Sequence, residues 1–334
     1  MLYPLTFNPV FKEIIWGGTD ILSYKGLLSG AETDDRFSGS GKIGESWELS
    51  HVKQNFSVVA NGKLKGKTID DLIKEYGVQL LGSKTQQQYG GNMFPLLIKF
   101  IDARDNLSVQ VHPDDELAGR RHQSFGKTEM WYVVKAMPDA VLFSGFSRQI
   151  DADEYVRHVE DNSIMDVLKR YHVKQGDVFF LPAGRVHAIG AGCFIAEIQQ
   201  TSDITYRIYD YNRKDANGNE RELHTQQAKD AIDYTLYPDY RTQYMPREND
   251  AVELVRCKYF TTNLLKLNKT MNRDYTSLDS FVIYICMKGE TVIKDNKNNT
   301  LHVRQGQTIL IPADTEHVVI ETGQDCEFLE TYID

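Results

Sequence analysis

Short apolar or alternating runs, separated by glycine, proline and other turn residues, make up most of the chain. This is the pattern of β-strands. Residues 1–60 follow it, and residues 92–101 form a continuous apolar strand in which Lys99 is the one charge. That lysine either directs its charged end outward or serves an anion. The pattern therefore predicts a mainly β protein.

Four predicted helices and one charged loop interrupt the strands. Residues 68–76 begin with a threonine cap and place apolar side chains at helical spacing, so we expect an amphipathic helix there. Residues 151–160 and 163–171 read as a helical pair inserted between strands, with acidic starts and a basic end to the second. A further helix is expected at 223–232, and the charged residues 211–222 are typical of a loop.

A repeat indicates how the strands are organised. Residues 171–190 align without gaps on residues 301–320, and seven of the twenty positions are identical. Each copy has a glycine turn, an apolar strand, a Pro-Ala turn and then a histidine that leads another strand. The repeat predicts two small jelly-roll-like β-barrels, at 1–235 and 236–334, with helical insertions in and around the first.

Polar side chains occupy strand faces that should be apolar. In an extended strand, Gln110 and His112 share one face. Glu129 lies in the next strand and would meet them if the two strands lay side by side, and His187 follows an apolar strand and a turn. Imidazole, carboxylate and amide oxygen together suit a divalent ion such as zinc, or else iron or manganese.

The second copy lacks this set of ligands. Residues 281–290, upstream of its histidine, contain neither a histidine nor a Gln-x-His pair. We therefore interpret His317 as a structural relic, and the second barrel as metal-free. Another segment, 43–51, holds two carboxylates, a tryptophan and His51, and is either part of a site or a surface strand with one core tryptophan.

Composition narrows the class of protein. With 334 residues, 41% hydrophobic and 25% charged, the chain resembles ordinary globular proteins. Its four scattered cysteines indicate neither disulfides nor a cysteine zinc site. No leader-like start or bilayer-length apolar run is present, so we expect a cytoplasmic protein without membrane contacts. The net charge of -9 argues against a nucleic-acid partner. An anionic substrate is still possible, because a metal ion and a few Arg or Lys residues set the potential inside a pocket. Sequence leaves the oligomeric state open.

These motifs resemble a known family. The glycine turn, strand, proline turn and histidine resemble the second half of the cupin motif, and their duplication resembles a bicupin. More narrowly, the chain resembles type I mannose-6-phosphate isomerases, in their compact bacterial form. The resemblance covers almost the whole chain and is carried by residues 9–18, 44–48, 110–115, 126–132, 184–188 and 204–213.

The resemblance implies functional residues at matching positions. It implies one zinc ion per chain on the four ligand candidates already selected, Gln110, His112, Glu129 and His187. It also implies a catalytic role for Arg207, a place in the pocket for Lys127, a phosphate contact for Arg213 and a position near the sugar ring for His51. Ser108 shares the face of Gln110, so its hydroxyl is a further candidate for the phosphate.

The implied reaction interconverts mannose 6-phosphate and fructose 6-phosphate through an enediol or enediolate. Arg207 would stabilise the developing negative charge. The base remains open among Lys127, Glu197, His51 and a zinc-bound hydroxide, and Glu197 also counts as a substrate-binding candidate.

Two other functions compete with isomerisation. Two histidines and a carboxylate also describe non-haem iron oxygenases, although Gln110 as a fourth ligand argues against an open iron site. A non-catalytic sugar-binding cupin would be expected to have lost its ligands, as the second copy has and the first has not.

Overall fold

The computed structural model describes residues 1–27, 42–214 and 218–334. The predicted β region 1–60 and the predicted loop 211–222 therefore fall partly outside the described residues. The strands of the first two-thirds are β1 (Leu5–Asn8), β2 (Val10–Gly18), β3 (Ile43–Leu49), β4 (Val58–Val59), β5 (Leu96–Ala103), β6 (Val109–Val111), β7 (Glu129–Ala136), β8 (Val141–Phe146), β9 (Leu168–His172), β10 (Val178–Leu181), β11 (His187–Ile189), β12 (Cys193–Gln200), β13 (Tyr206–Tyr209) and β14 (Arg241–Thr242).

The remaining strands follow after residue 250. They are β15 (Ala251–Arg256), β16 (Thr261–Leu267), β17 (Met271–Asp274), β18 (Val282–Lys288), β19 (Glu290–Asp295), β20 (Thr300–Arg304), β21 (Thr308–Ile311), β22 (His317–Glu321) and β23 (Cys326–Tyr332). The helices are α1 (Asp20–Tyr24), α2 (Ile69–Tyr76), α3 (Val78–Leu81), α4 (Ser83–Gln88), α5 (Asp115–His122), α6 (Ala152–Glu160) and α7 (Thr225–Ala231). The mainly β fold predicted from the sequence is confirmed.

Two antiparallel sheets face each other and form the first sandwich. Its large sheet has the order β14-β10-β7-β12-β5-β2-β3, and its small sheet has the order β13-β6-β11-β8-β9. Alternate residues of facing strands point between the sheets, where apolar side chains exclude water. The buried side chains between the sheets include Trp16, Ile101, Trp131, Val133, Leu142, Phe179, Leu181, Ile189 and Ile195.

A second sandwich repeats this plan. Its sheets have the orders β15-β16-β23-β18-β21-β1-β4 and β17-β22-β19-β20. The N-terminal strand β1 pairs with β21, so the start of the chain completes a sheet whose other main strands come from its end. The division of the chain after residue 235 stays a prediction.

The two sandwiches pack back to back through their larger sheets. One buried cluster joins Met130, Tyr132 and Ile198 of the first sandwich to Ile283, Leu310 and Leu329 of the second. Burying a side chain of this size contributes about 1.5–3 kcal/mol. The second sandwich therefore supports, from behind, the sheet that carries Glu129.

Two predicted helices are confirmed and a third is shortened at both ends. Helix α2 begins at a capping box in which the Thr68 hydroxyl accepts from the Asp71 amide and the Asp71 carboxylate accepts from the Thr68 amide. Helix α6 begins at Asp151, whose carboxylate accepts two backbone N–H groups. Helix α7 occupies Thr225–Ala231, inside the predicted 223–232.

The helix predicted over residues 163–171 is wrong. A single 3-10 turn at Ile164–Val167 leads directly into β9. Strand β9 pairs antiparallel with β8 and buries Leu168 and Tyr171, so pairing at the sheet edge prevails over local helical spacing. Strand β5 also begins at Leu96, a few residues later than predicted.

Two further sequence predictions concern the cysteines and membrane-length segments. All four cysteines are free, as their spacing predicted. Within the residues described, no helix combines the length and apolar character required to cross a membrane.

Candidate metal centre and active-site cavity

Neighbouring strands of the small sheet bring three predicted site residues into one row. The strand register places Gln110 of β6 directly opposite His187 of β11 on one side and Arg207 of β13 on the other. Directly paired residues of adjacent strands project to the same face. The amide, the imidazole and the guanidinium therefore share one face of the sheet.

Glu129 reaches the same place from the opposite sheet. It begins β7, which pairs with β10 and β12 in the large sheet, and β6 and β7 do not pair. The two strands therefore do not lie side by side, and Glu129 meets the other ligands by a different route. The ligands converge because the two sheets of a sandwich face each other, a relation that alternation along single strands does not reveal.

Three of the predicted ligands form a buried cluster. Ligand atoms of His112, Glu129 and His187 all lie within 4.8 Å of one another. Nε2 of His112 is 3.6 Å from Oε2 of Glu129, and Nε2 of His187 is 3.4 Å from Oε1. None of the three side chains is more than 2% exposed. We refer to them as the His-Glu-His cluster.

The hydrogen bonds of the two imidazoles leave lone pairs directed at the carboxylate. His112 donates from Nδ1 to the carbonyl of Ile204 at 2.8 Å, and His187 donates from Nδ1 to the carbonyl of Arg185 at 2.8 Å. Burial lowers the pKa of both histidines, that of His187 to about 4, so the rings are neutral. Each Nε2 therefore presents a lone pair toward Glu129, as metal-binding histidines do.

A cation fits this arrangement. Nε2 of His112 and Oε1 of Glu129 are buried without a hydrogen-bond partner, and Oε2 of Glu129 has the ammonium of Lys127 3.0 Å away. Unsatisfied buried acceptors are costly, and a divalent ion satisfies several at once. Gln110 is within reach of the cluster, because its amide nitrogen lies 3.2 Å from Nε2 of His187 and turning the amide over brings its oxygen, a possible ligand atom, to that place.

A cavity of about 420 Å³ opens above the cluster. Gln110 and Lys127 both line it and both contact the cluster, since Nζ of Lys127 is 3.0 Å from Oε2 of Glu129. The volume suits a small polar ligand. The lining residues are Ile14, Trp16, Glu45, Trp47, Lys99, Ile101, Leu107, Ser108, Gln110, Lys127, Ile189, Glu197, Asp203, Thr205, Arg207 and Arg221.

The wall formed by the large sheet carries paired charges. Nζ of Lys99 is 3.2 Å from Oε1 of Glu197, whose Oε2 accepts from the Trp131 indole at 2.8 Å. Burial alone would raise the pKa of the Glu197 carboxyl, but the ammonium groups of Lys99 and Lys127 outweigh it and lower that pKa. Glu197 therefore lines the cavity as a carboxylate.

Two arginines line the opposite, small-sheet side. Arg207 is held through its backbone by His224, which accepts the Arg207 amide at 3.1 Å and donates its own amide to the Arg207 carbonyl at 2.7 Å. The side chain of Arg207 donates to the carbonyl of Glu222 at 3.0 Å. Arg221 pairs with Asp210 through Nε at 2.7 Å and Nη2 at 2.5 Å.

The structure places two predicted site residues away from the cavity lining. His51 stacks on Phe56 and lies 3.3 Å from the Asp70 carboxylate, at the start of α2. Arg213 donates to the carbonyl of Asn106 at 2.7 Å and pairs with Asp210. Four other predicted site residues, Ser108, Lys127, Glu197 and Arg207, line the cavity.

Sequence reasoning did not select several lining residues. Glu45 and Trp47 lie in the segment 43–51 that stood out for its carboxylates and tryptophan, so a signal for them was present. Arg221 lies in a charged loop, and nothing in the sequence distinguishes it from the other arginine of that loop. Trp16 lies in residues 9–18, which carry part of the family resemblance, whereas Asp203 carried no distinguishing pattern.

The second sandwich presents its corresponding histidine differently. In β22, Val318 and Ile320 point into the core and the side chain of His317 is 52% exposed. In β11, by contrast, His187 points inward. Relative to the aligned sequences, β22 is therefore shifted by one residue, so the aligned histidines lie on opposite faces of their sheets. The interpretation of His317 as a relic agrees with this position.

The fold and the site together define a class of protein, a cupin enzyme built from two sandwiches. Its first sandwich holds a cluster of potential metal ligands beneath a charged cavity. Residues 5–132 match the model of the phosphomannose isomerase type I catalytic domain, and residues 250–333 match that of the mannose-6-phosphate isomerase cupin domain. The chain therefore belongs to the type I mannose-6-phosphate isomerase family, as predicted, and is an isomerase.

Individual relatives agree over nearly the full length. Mannose-6-phosphate isomerase ManA of Bacillus subtilis is 37% identical over 290 residues, 86% of this chain and 86% of that protein. Probable mannose-6-phosphate isomerase GmuF of the same organism is 32% identical over 333 residues, 98% of this chain and 99% of that protein. The crystal structure of the Bacillus subtilis mannose 6-phosphate isomerase superposes with a TM-score of 0.84 at 31% identity, covering 99% of each chain.

Proposed function

We propose that this isomerase interconverts mannose 6-phosphate and fructose 6-phosphate and uses one zinc ion per chain. The ion is held by Gln110, His112, Glu129 and His187. The observation that carries the proposal is the buried His-Glu-His cluster, in which Nε2 of His112 and Oε1 of Glu129 have no hydrogen-bond partner, beside a cavity lined by two lysines and two arginines. An amide, two neutral imidazoles and a carboxylate suit zinc, which has no redox role in an isomerisation.

When bound, zinc supplies Lewis-acid polarisation of substrate oxygens. The chain supplies the remaining charge stabilisation through Arg207. Its guanidinium stays protonated, lies in the cavity wall and donates to the Glu222 carbonyl, while His224 holds the Arg207 backbone. A preoriented cation of this kind stabilises the negative charge of an enediolate without having to rearrange during the reaction.

Proton transfer between C1 and C2 falls to groups on the opposite wall. Lys127, Lys99 and Glu197 are buried, line the cavity and contact one another or the cluster. We assign the proton-moving role to this group, with Lys127 its member nearest the metal ligands. His51, a rival base in the sequence, contacts Asp70 and Phe56 instead.

The phosphate is best placed at the small-sheet end of the cavity. Arg221 lines it there, together with the Ser108 hydroxyl. Asp210 is the carboxylate that pairs with Arg221 and also with Arg213, so positive charge exceeds negative charge in this group. Arg221 therefore replaces Arg213 as our candidate for direct phosphate contact.

Arg221→Ala should raise KM for mannose 6-phosphate about 10-fold or more, because a hydrogen bond to a charged group contributes about 1.5–3 kcal/mol. Arg213→Ala removes the other guanidinium on Asp210 and serves as the matched control, with a smaller change in KM. Steady-state kinetics of both variants measure the difference. A larger increase in KM in Arg213→Ala would show that Arg213, the residue first predicted, contacts the phosphate.

The proposed reaction is tested by a coupled assay that follows conversion of mannose 6-phosphate to fructose 6-phosphate by the purified, zinc-loaded protein. We expect turnover in both directions. Oxygen uptake that depends on added ferrous iron would instead identify an oxygenase. Binding of mannose 6-phosphate without interconversion would identify a sugar-binding cupin.

A further inference from the structure

One turn of the backbone is hydrogen-bonded to His112, to His187 and to the residue before Glu129. Residues 182–186 join β10 to β11, and we call them the ligand turn. The Ala183 amide donates to the hydroxyl of Thr128, the residue before Glu129, at 3.2 Å. The Gly184 amide donates to the carbonyl of His112 at 2.9 Å. The Arg185 carbonyl accepts from Nδ1 of His187 at 2.8 Å.

The side chain of Arg185 anchors this turn from the far side. Its guanidinium carbon lies 4.6 Å from the ring centroid of Tyr237 and 4.3 Å from that of Tyr240. Arg185 is 7% exposed. A guanidinium held over two aromatic faces and removed from water is attracted more strongly than one at the surface.

The two rings belong to one segment, residues 233–240, which follows α7 and which we call the clamp segment. The Asp233 amide donates to the carbonyl of Gly184 at 2.9 Å, so the segment also bonds the ligand turn through its backbone. The Tyr237 hydroxyl donates to the Asp233 carboxylate at 3.2 Å. These contacts join both ends of the segment to the same turn.

The inner ring has little freedom to move. The hydroxyl of Tyr240 donates to the carbonyl of Phe146 at 3.3 Å, and its amide donates to the Tyr171 hydroxyl at 2.8 Å. A Cβ added to Gly145 would lie 2.2 Å from Cζ of Tyr240, so the ring packs directly on backbone. A fixed ring fixes the guanidinium stacked on it, and through it the carbonyl that orients His187.

We infer that Arg185, held over the rings of Tyr237 and Tyr240, is a positioning residue for the metal centre, and that the clamp segment sets the affinity of that centre for zinc. The inference rests on the proposed zinc site. Partners of a metal-binding histidine commonly change metal affinity about 10- to 100-fold when they are altered. Here the partner is a carbonyl, so its position depends on the side chain that anchors the turn.

The test compares the zinc affinities of wild type, Arg185→Met, Tyr237→Leu and Tyr237→Phe by competition with a chromogenic chelator. Arg185→Met and Tyr237→Leu should bind zinc about 10-fold or more weakly. Tyr237→Phe keeps the ring and should retain wild-type affinity. Cobalt(II) in place of zinc should show a visible spectrum that is altered in the first two variants and unchanged in the third.

Two further measurements separate positioning from general loss of stability. The thermal midpoint of each metal-free variant is recorded, and affinities are measured well below it. Tyr237 is 40% exposed, so Tyr237→Leu carries the test alone if Arg185→Met does not fold.

Wild-type affinity and spectrum in both Arg185→Met and Tyr237→Leu would overturn the inference while leaving the proposed function intact. An equal loss in Tyr237→Phe would also overturn it, because the ring would not be the cause. A wild-type protein that binds no zinc would overturn the proposed function, and the inference with it.

Discussion

His112→Ala is expected to lose both zinc and turnover. The substitution removes one of the two neutral imidazoles. The fully buried Glu129 is then left with one fewer neighbouring group that can bind the cation. Since altering an outer partner of a metal ligand costs about 10- to 100-fold, removing the ligand itself should weaken zinc binding more than about 100-fold. Metal analysis after gel filtration and the coupled assay measure the two losses together.

His317→Ala is the matched control for this prediction. It changes the histidine at the corresponding position of the repeat, in a strand whose histidine faces outward. We expect wild-type zinc content and activity. Loss of zinc in this variant, or its retention in His112→Ala, would mean that the wrong sandwich had been assigned the metal.

Arg207→Ala should keep zinc and lose turnover. Arg207 lines the cavity and does not belong to the His-Glu-His cluster, so its removal leaves the metal ligands in place. Removing one preoriented group that stabilises developing negative charge typically costs about 10²- to 10³-fold in kcat. Steady-state kinetics on protein of verified zinc content measure the effect.

Arg170→Ala provides the comparison for Arg207→Ala. Arg170 is an exposed arginine in β9, at the opposite edge of the same small sheet. Its removal should leave kcat and KM unchanged. Near wild-type turnover in Arg207→Ala would show that the role assigned to its guanidinium is wrong.

Much of the site was predictable because the ligands violate the pattern of their strands. Gln110, His112 and Glu129 replace apolar residues at inward positions, and the repeat located the turn before His187. The sequence did not reveal that Glu129 comes from the facing sheet. That relation depends on how two sheets stack, which alternation within one strand does not encode.

Other differences between the sequence predictions and the structure also originate in tertiary structure. The helix expected at 163–171 is a 3-10 turn followed by strand β9, because pairing with β8 overrides local spacing. Arg213 and Arg221 are both charged loop residues near Asp210, and only the fold shows that Arg221 is the one lining the cavity. His51 matched a family position but packs against α2.

The proposed zinc chemistry is tested most directly by removing the metal and returning it. Purified protein is assayed for conversion of mannose 6-phosphate to fructose 6-phosphate, stripped with a chelator, and titrated with zinc while metal content is measured. We predict that activity disappears with the metal and returns in proportion to zinc, reaching its maximum at one equivalent per chain. Full activity in protein shown to contain no metal would contradict the account.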